Sequence, residues 1–321
     1  MGQYIVKYQQ NKQAIWGVKK GKQVAPLKKQ PTNLGDLIKQ QDQYLAAENL
    51  ASTTLAFEDL ALLAPISKPV KVVCQGLNYA DHREEAALAT TSKTNVMFAK
   101  DDSSITGANS PIIRPLDCVC LDYEIELGLV IKKDIHQAVN ITEENLPDYI
   151  AGLVLANDMS PRDLQYKDDY MQWYKAKSCR TMLPLGPVLY LLDKEDFKQF
   201  YQLQLKLWVN DDLRQDASTD LMIFKPAATL TEIASFMNLN AGDLILTGTP
   251  GGVIVKAPSK FIQGLATWLF TNEKKVAAFR KKKAEFLQDG DVVKAHIKSA
   301  DGTIDLGYQV NKVVSNGGSH A

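Results

Sequence analysis

The sequence predicts an α+β protein built mostly on short strands, and three observations carry that expectation. From Val70 onward, brief β-type segments separated by Gly, Pro and Asn/Asp turns dominate the chain. Few of them are divided by stretches long enough for a full crossover helix, which disfavours a doubly wound parallel sheet. Neither a GxGxxG nor a Walker A motif occurs, and no repeat at a solenoid period is visible.

Taken in order, residues 4–8 and 14–19 read as two strands, the second followed by the turn Lys20-Gly21-Lys22. Gln- and Leu-rich stretches follow, with Leu34, Leu37, Ile38 and Leu45 near helical spacing. Residues 1–68 are therefore expected to form a small N-terminal domain. The run Ala64-Pro65-Ile66-Ser67-Lys68-Pro69 is the expected linker, because each proline biases its predecessor to extended structure. Residues 69–321 make the second unit, with strands expected at 70–74, 123–131, 151–155, 203–209, 244–247 and 291–297.

Composition removes several function classes. With 321 residues, 45% of them hydrophobic and 23% charged, the chain can bury a large core and is not of disordered composition. Lys plus Arg and Asp plus Glu both total 37, so no whole-chain field exists to hold nucleic acid or an anionic membrane. Cys74, Cys118, Cys120 and Cys179 form no CxxC pair, which indicates reduced thiols rather than a zinc site or a disulfide framework. The apolar runs fall short of the roughly 20 residues of a spanning helix. The N-terminus has no signal-peptide pattern, so a cytoplasmic protein without membrane or nucleic-acid partners is expected.

Chemistry is concentrated in a few places. In Asp122-Tyr123-Glu124-Ile125-Glu126-Leu127-Gly128-Leu129-Val130-Ile131, strand alternation puts Tyr123, Ile125, Leu127, Leu129 and Ile131 on one face. Glu124 and Glu126 then share the other, where they could converge on a hard divalent cation or simply meet solvent. Asp158 follows the apolar run 151–157, and it could be a third ligand or the N-cap of a helix over 159–167. Asn78 is a candidate N-cap for a helix on which His82 and Glu85, three residues apart, share a face. That pair suits a general base and its orienting carboxylate, or an ordinary surface contact. Arg162 and Gln165 could grip a carboxylate, and Lys177 could stabilise an oxyanion. The loop Thr247-Gly248-Thr249-Pro250-Gly251-Gly252 could offer N–H groups to an anion, or be no more than a tight turn.

Read together and in this order, six segments closely resemble the fumarylacetoacetate hydrolase family. They are Gly76-Leu77-Asn78-Tyr79-Ala80-Asp81-His82, Asp122-Tyr123-Glu124-x-Glu126-Leu127, Asn157-Asp158-x-Ser160-x-Arg162-Asp163-x-Gln165, Lys177-Ser178, Leu185-Gly186-Pro187 and Gly242-Asp243-x-x-x-Thr247-Gly248-Thr249-Pro250-x-Gly252-Val253. The resemblance implies a mixed β-sandwich or β-roll and a homodimer, with one Mg2+ or Mn2+ per subunit held by Glu124, Glu126 and Asp158. It makes His82, Glu85 and Lys177 the catalytic residues, and Tyr79, Arg162, Gln165 and Thr249 the substrate-binding ones. The implied activity is hydrolysis of a C–C bond in a small anionic β-dicarbonyl or 2-oxo acid, through a chelated enolate and His82-activated water. Decarboxylation of an oxaloacetate-type acid or isomerisation of a dienoate is the alternative. A catalytically silent protein that binds metal or dicarbonyl compounds is the alternative from another class.

The chain departs from the family pattern most at about 255–285, a connection that relatives make short. The segment holds eight Lys/Arg against two Glu, and Lys281-Lys282-Lys283 lies near its end. Ile262, Leu265, Trp268 and Leu269 recur at helical spacing, which predicts an amphipathic insertion. It could pack on the core or act as a lid that steers anions.

Overall fold

The computed structural model describes residues 2–256 and 271–315. Among the described residues, two large sheets, one two-stranded sheet and a few short helices make up the fold, as the α+β expectation requires. Among the described residues the larger sheet has twelve strands. Its hydrogen-bonded order is Leu55–Ala56, Gln23–Pro26, Gln13–Lys20, Gln3–Gln10, Leu183–Leu191, Ile150–Asn157, Ile125–Ile131, Leu244–Leu246, Val72–Gly76 and Val96–Lys100, with Ala61–Leu63 and Ile105–Gly107 joined at its side. The smaller sheet runs Asp212–Ser218, Leu203–Val209, Val292–Ser299, Asp305–Ser315 and Ile112–Arg114.

Pattern and packing agree where one sheet face is wet. In Leu203–Val209 the leucines and valine are buried and the intervening Gln204, Lys206 and Trp208 are only partly so, the alternation of a half-buried strand. Leu203, Leu205 and Leu207 pack with Ile125, Leu127 and Leu129 of the larger sheet in one core between the two sheets. The Ile125–Ile131 strand differs, because it is buried along its whole length. Val130, with Val154 and Ala156 of its neighbour, enters a second core on the far face, which Leu34, Leu37 and Ile38 of the helix Leu34–Lys39 help to cover. Glu124 and Glu126 therefore face protein rather than water.

The N-terminal strands belong to the larger sheet, since Gln3, Tyr4 and Ile5 pair with Leu191, Tyr190 and Leu189. Two local expectations change. Asn78 does not cap the helix Ala80–Glu85; its side chain instead bonds the Phe224 N–H and the Phe224 and Thr247 carbonyls, tying this turn to the rest of the core. The helix expected over 159–167 is only Arg162–Gln165, because Ser160–Pro161 forms a two-residue strand with Leu121–Asp122.

Within the insertion, Ile262, Leu265, Trp268 and Leu269 lie outside the described residues. The helix Asn272–Lys281 starts at a Thr271 cap and packs back on the helix Arg162–Gln165 and the turn after it. Phe279 meets Tyr166 edge-on at 5.7 Å, and Asn272 donates to the Asp168 and Asp169 carbonyls. Lys281, Lys282 and Lys283 are exposed at its end. No helix among the described residues is long and apolar enough to cross a membrane.

Candidate active site

The register of two antiparallel strands assembles the carboxylates. Ile125 pairs with Asn157, so the start of one strand and the end of the next lie side by side, and the Asp158 N–H donates to the Glu124 carbonyl at 2.8 Å. Glu124 itself lies just before the strand, where its N–H is held by the Asn157 side chain at 3.0 Å. Oxygens of Glu124, Glu126 and Asp158 consequently lie within 4.8 Å of one another, all three residues buried.

Buried carboxylates need partners, since an unpaired buried charge costs several kcal/mol or more. Lys177, itself buried, donates to Glu124 at 2.8 Å, to Asp158 at 2.7 Å and to the Ser160 hydroxyl at 2.6 Å. Burial alone would lower its pKa, but Asp158 and Glu124 outweigh that and raise it. Lys100 donates to the other Asp158 oxygen at 2.5 Å and to the Met182 carbonyl at 2.9 Å. Arg162 reaches Asp122 through two nitrogens, at 2.9 and 2.7 Å, and Glu124 at 2.6 Å. A further Arg162 nitrogen meets Gln165 at 3.2 Å, so the guanidinium first organises the cluster itself. Burial pushes Glu124 upward, yet Lys177, Arg162 and His82 hold its carboxyl well below the usual range.

Glu126 is the exception. Its hydrogen-bond donor is the Gly248 N–H, at 2.9 Å. Burial, with Asp158 and Glu124 close by, pushes its pKa well above the usual carboxylate range. Three cations thus face four carboxylates, and a proton on Glu126 makes the cluster neutral. The donor set is three hard oxygens of which one lacks a cation, which fits a hard divalent metal ion. Gly248 is needed here: its φ is +84°, and a Cβ would come within 2.9 Å of the Asn78 Cβ.

The expectation that the 247–252 loop offers its N–H groups to an anion is met in an unexpected way, because the anions are the protein's own. Gly248 serves Glu126, and Gly252 donates to both oxygens of Glu85 at 3.0 and 2.9 Å. Thr249 is buried, and its hydroxyl donates to the Ile125 carbonyl at 2.9 Å while accepting from Gln215. Gln215 also donates to the Pro250 carbonyl and accepts from the Ile125 N–H, fastening the loop to the strand that carries Glu126.

The short helix Ala80–Glu85 carries His82 and Glu85 on one face, whereas Glu84 is exposed. His82 Nδ1 lies 3.9 Å from Glu85 Oε2, beyond hydrogen-bond length, and is buried without a partner. Glu85 instead pairs with Lys256 at 2.8 Å. Although burial raises it, the neighbouring His82, Lys256 and the Gly252 N–H bring Glu85 down to about 2. Tyr79 stands buried beside this helix, its hydroxyl unbonded, and burial pushes its pKa up.

Ten residues singled out in the sequence are therefore placed as follows. Glu124, Glu126, Asp158, Lys177, Arg162 and Gln165 form one contiguous polar network, and His82 lies within electrostatic reach of it through Glu124. Glu85 borders His82, Thr249 anchors the loop, and Tyr79 lies within electrostatic reach of Glu126. Lys100, Asp122, Ser160 and Gln215 belong to the same network and were not singled out for these roles.

A family model described as "Fumarylacetoacetate (FAA) hydrolase C-terminal" matches residues 71–314. The chain is 38% identical over 210 residues to "Oxaloacetate tautomerase fahd2, mitochondrial" of Xenopus laevis, covering 65% of this chain and 64% of that one. It is 33% identical over 288 residues to "Oxaloacetate tautomerase FAHD2B, mitochondrial" of Bos taurus, covering 88% and 80%. Among solved structures, the fumarylacetoacetate hydrolase from Exiguobacterium antarcticum superposes with a TM-score of 0.73 at 29% identity, over 98% of this chain and 99% of that one. A probable 2-hydroxyhepta-2,4-diene-1,7-dioate isomerase from Mycobacterium abscessus gives 0.72 at 28%, over 98% and 99%.

Proposed function

The chain belongs to the fumarylacetoacetate hydrolase family, a family of enzymes, and from that premise we propose that it converts a small anionic 2-oxo acid by proton transfer at the carbon next to its keto group. The observation that carries the reading is the convergence of Glu124, Glu126 and Asp158 beside the His82–Glu85 pair. The relatives' names favour keto–enol tautomerisation of an oxaloacetate-type acid as the outcome. Hydrolysis of a C–C bond in an acylpyruvate or fumarylacetoacetate-like compound is the second reading, favoured by the imidazole next to a carboxylate that could orient it.

Glu124, Glu126 and Asp158 would hold one Mg2+ or Mn2+, which would supply positive charge to the adjacent keto and carboxylate oxygens of the substrate. His82 then removes the C–H proton in tautomerisation, or a proton from water in hydrolysis. In the first case the imidazolium returns that proton to the enolate oxygen, so nothing is gained or lost overall. In the second, the hydroxide adds to the carbonyl, the C–C bond breaks to leave a carboxylic acid and a carbanionic carbon, the Lys177 ammonium protonates that carbon, and the proton that His82 took from water passes back to Lys177. Lys177 can fill either an oxyanion-stabilising or a proton-donating part, because its charge is held in place by Asp158 and Glu124. Tyr79, Arg162, Gln165 and Thr249 shape the substrate end of the site.

Homodimeric assembly and a cytoplasmic location belong to the same proposal; light scattering and cell fractionation test them, and the word "mitochondrial" in relatives' names makes the second test worthwhile. The functional test is turnover of enol-oxaloacetate, keto-oxaloacetate and acetylpyruvate with Mg2+ or Mn2+, with and without EDTA. Loss of the enol signal without pyruvate supports tautomerisation, and pyruvate with acetate from acetylpyruvate supports hydrolysis. No turnover of any of them, with either ion, would sink the reading and favour a silent binding protein.

A further inference from the structure

We propose that Lys256, the second residue of the 255–285 segment, is a positioning residue that competes with His82 for Glu85 and so sets the basicity of His82. This rests on the reading that His82 and Glu85 act together. Glu85 is placed between the Lys256 ammonium and the His82 imidazole but bonded only to the ammonium. Its Oε1 pairs with Lys256 Nζ at 2.8 Å, while its Oε2 is 3.9 Å from His82 Nδ1. The Gly252 N–H donates to both oxygens and so restrains the carboxylate between them. His82 Nδ1 is buried and unbonded, an arrangement that costs free energy for as long as Glu85 is held away from it. Lys256 is exposed, with 57% of its side chain accessible, so the pair adds little to stability and its effect lies in where Glu85 points.

The surroundings make this contact decisive for His82. On its own helix, His82 has Glu85 and Asp81, and the Asp81 carboxylate is already used by the His82 backbone N–H at 2.7 Å. From the carboxylate cluster it faces Glu124, whose charge is taken up by Lys177 and Arg162. Glu85 in turn faces Tyr123, whose hydroxyl donates to the Gly252 carbonyl. Among the described residues, Glu85 is therefore the carboxylate near His82 that can change partner. When Lys256 lets go, Glu85 can close on Nδ1, fix the tautomer and strengthen the other ring nitrogen as a base. Lys256 begins the basic insertion, so the contact links the part of the chain that departs from the family pattern to the proton-transferring group.

The test is an NMR titration of the imidazoles in uniformly 15N-histidine-labelled, full-length protein, with His82 assigned by its loss in His82→Ala. Lys256→Gln should raise the His82 pKa by about half to one unit, because a freed carboxylate stabilises the imidazolium. The acid limb of the kcat/KM profile should move upward by the same amount. Lys256→Arg should restore the wild-type value, and Lys256→Gln should have no effect in a Glu85→Gln background. An unshifted His82 in Lys256→Gln, or an equal shift in the Glu85→Gln background, would overturn the proposal, the latter by reducing Lys256 to a through-space charge. The titration reads His82 directly, so it stands apart from the functional reading, which fails instead if none of the 2-oxo acids is turned over.

Discussion

Two carboxylates take a backbone hydrogen bond from the same loop and end with opposite properties. Glu126 receives the Gly248 N–H and is pushed well above the usual carboxylate range, while Glu85 receives the Gly252 N–H and sits at about 2. The donor is not what separates them. Glu126 is buried on a central strand with Asp158 and Glu124 as neighbours, whereas Glu85 is half-buried on a short helix with a lysine against it. The strand-borne region holds a fixed field, fully cross-linked except for one charge that a divalent ion could balance. The helix-borne region holds an imidazole and a carboxylate that are near but not joined. A site divided this way keeps its electrostatics rigid and leaves the proton-transferring part free to adjust.

The comparison can be broken most severely at the strands. Alanine in place of Glu124, Glu126 or Asp158 should abolish turnover and also abolish the rise in Tm that Mg2+ or Mn2+ gives the parent protein, as scanning calorimetry would record. A variant that keeps both would mean that the cluster is structural only. At the helix the effect should be smaller and of another kind. His82→Ala should lower kcat by roughly 10² or more, the scale of a lost positioned base, while the metal-induced rise in Tm stays as it was. Full activity in that variant would remove His82 from the chemistry.

The gentlest change concerns the sign of the pH dependence in EDTA-treated protein. With Glu126 raised, the native chain keeps a proton that the unfolded chain releases, so its contribution is complete below the ordinary value of 4.5 and fades as pH rises. Glu126→Gln should therefore stabilise the metal-free protein by about 1–3 kcal/mol near pH 8, with the gain vanishing near the ordinary carboxylate value. Glu85 is lowered, so its contribution is complete above 4.5 and lost as pH falls toward 2. Glu85→Gln should cost less than about 1 kcal/mol at neutral pH, since solvent screens that pair. Urea unfolding of the two variants across pH reads both; slopes of the same sign would remove the distinction.

Much of this was legible in the sequence, for identifiable reasons. The two-residue spacing of Glu124 and Glu126 against an apolar strand pattern placed them together, although Glu124 lies just outside the strand and neither faces solvent. Leu203–Val209 was readable to the residue because one of its faces is wet. Lys177 carried only a weak local mark, as a possible oxyanion stabiliser, and took its catalytic assignment from the family resemblance. Lys100 was not found: it ends the short run Val96–Lys100, and its partners Asp158 and Met182 are 58 and 82 residues away. Gln215 sits in the polar strand Asp212–Ser218, where nothing in the sequence distinguishes the one glutamine turned inward. Local periodicity reports which face is buried, but not which distant polar group will meet it there.

The strand Leu244–Leu246 also constrains when the site can exist. It is three residues long, yet it fills the gap between Ile125–Ile131 and Val72–Gly76 and leads directly into the loop that serves Glu126 and Glu85. The adjoining pair Lys71 and Asp243 is separated by 172 residues. At ribosomal speeds, Val72–Gly76 would wait on the order of ten to thirty seconds for this partner. During that interval two strand edges in the middle of the future sheet present unpaired N–H and C=O groups, which is a template for wrong pairing. A nascent chain stalled before residue 244 should therefore engage holdase chaperones, and release from them should follow emergence of Leu244–Gly252 from the exit tunnel.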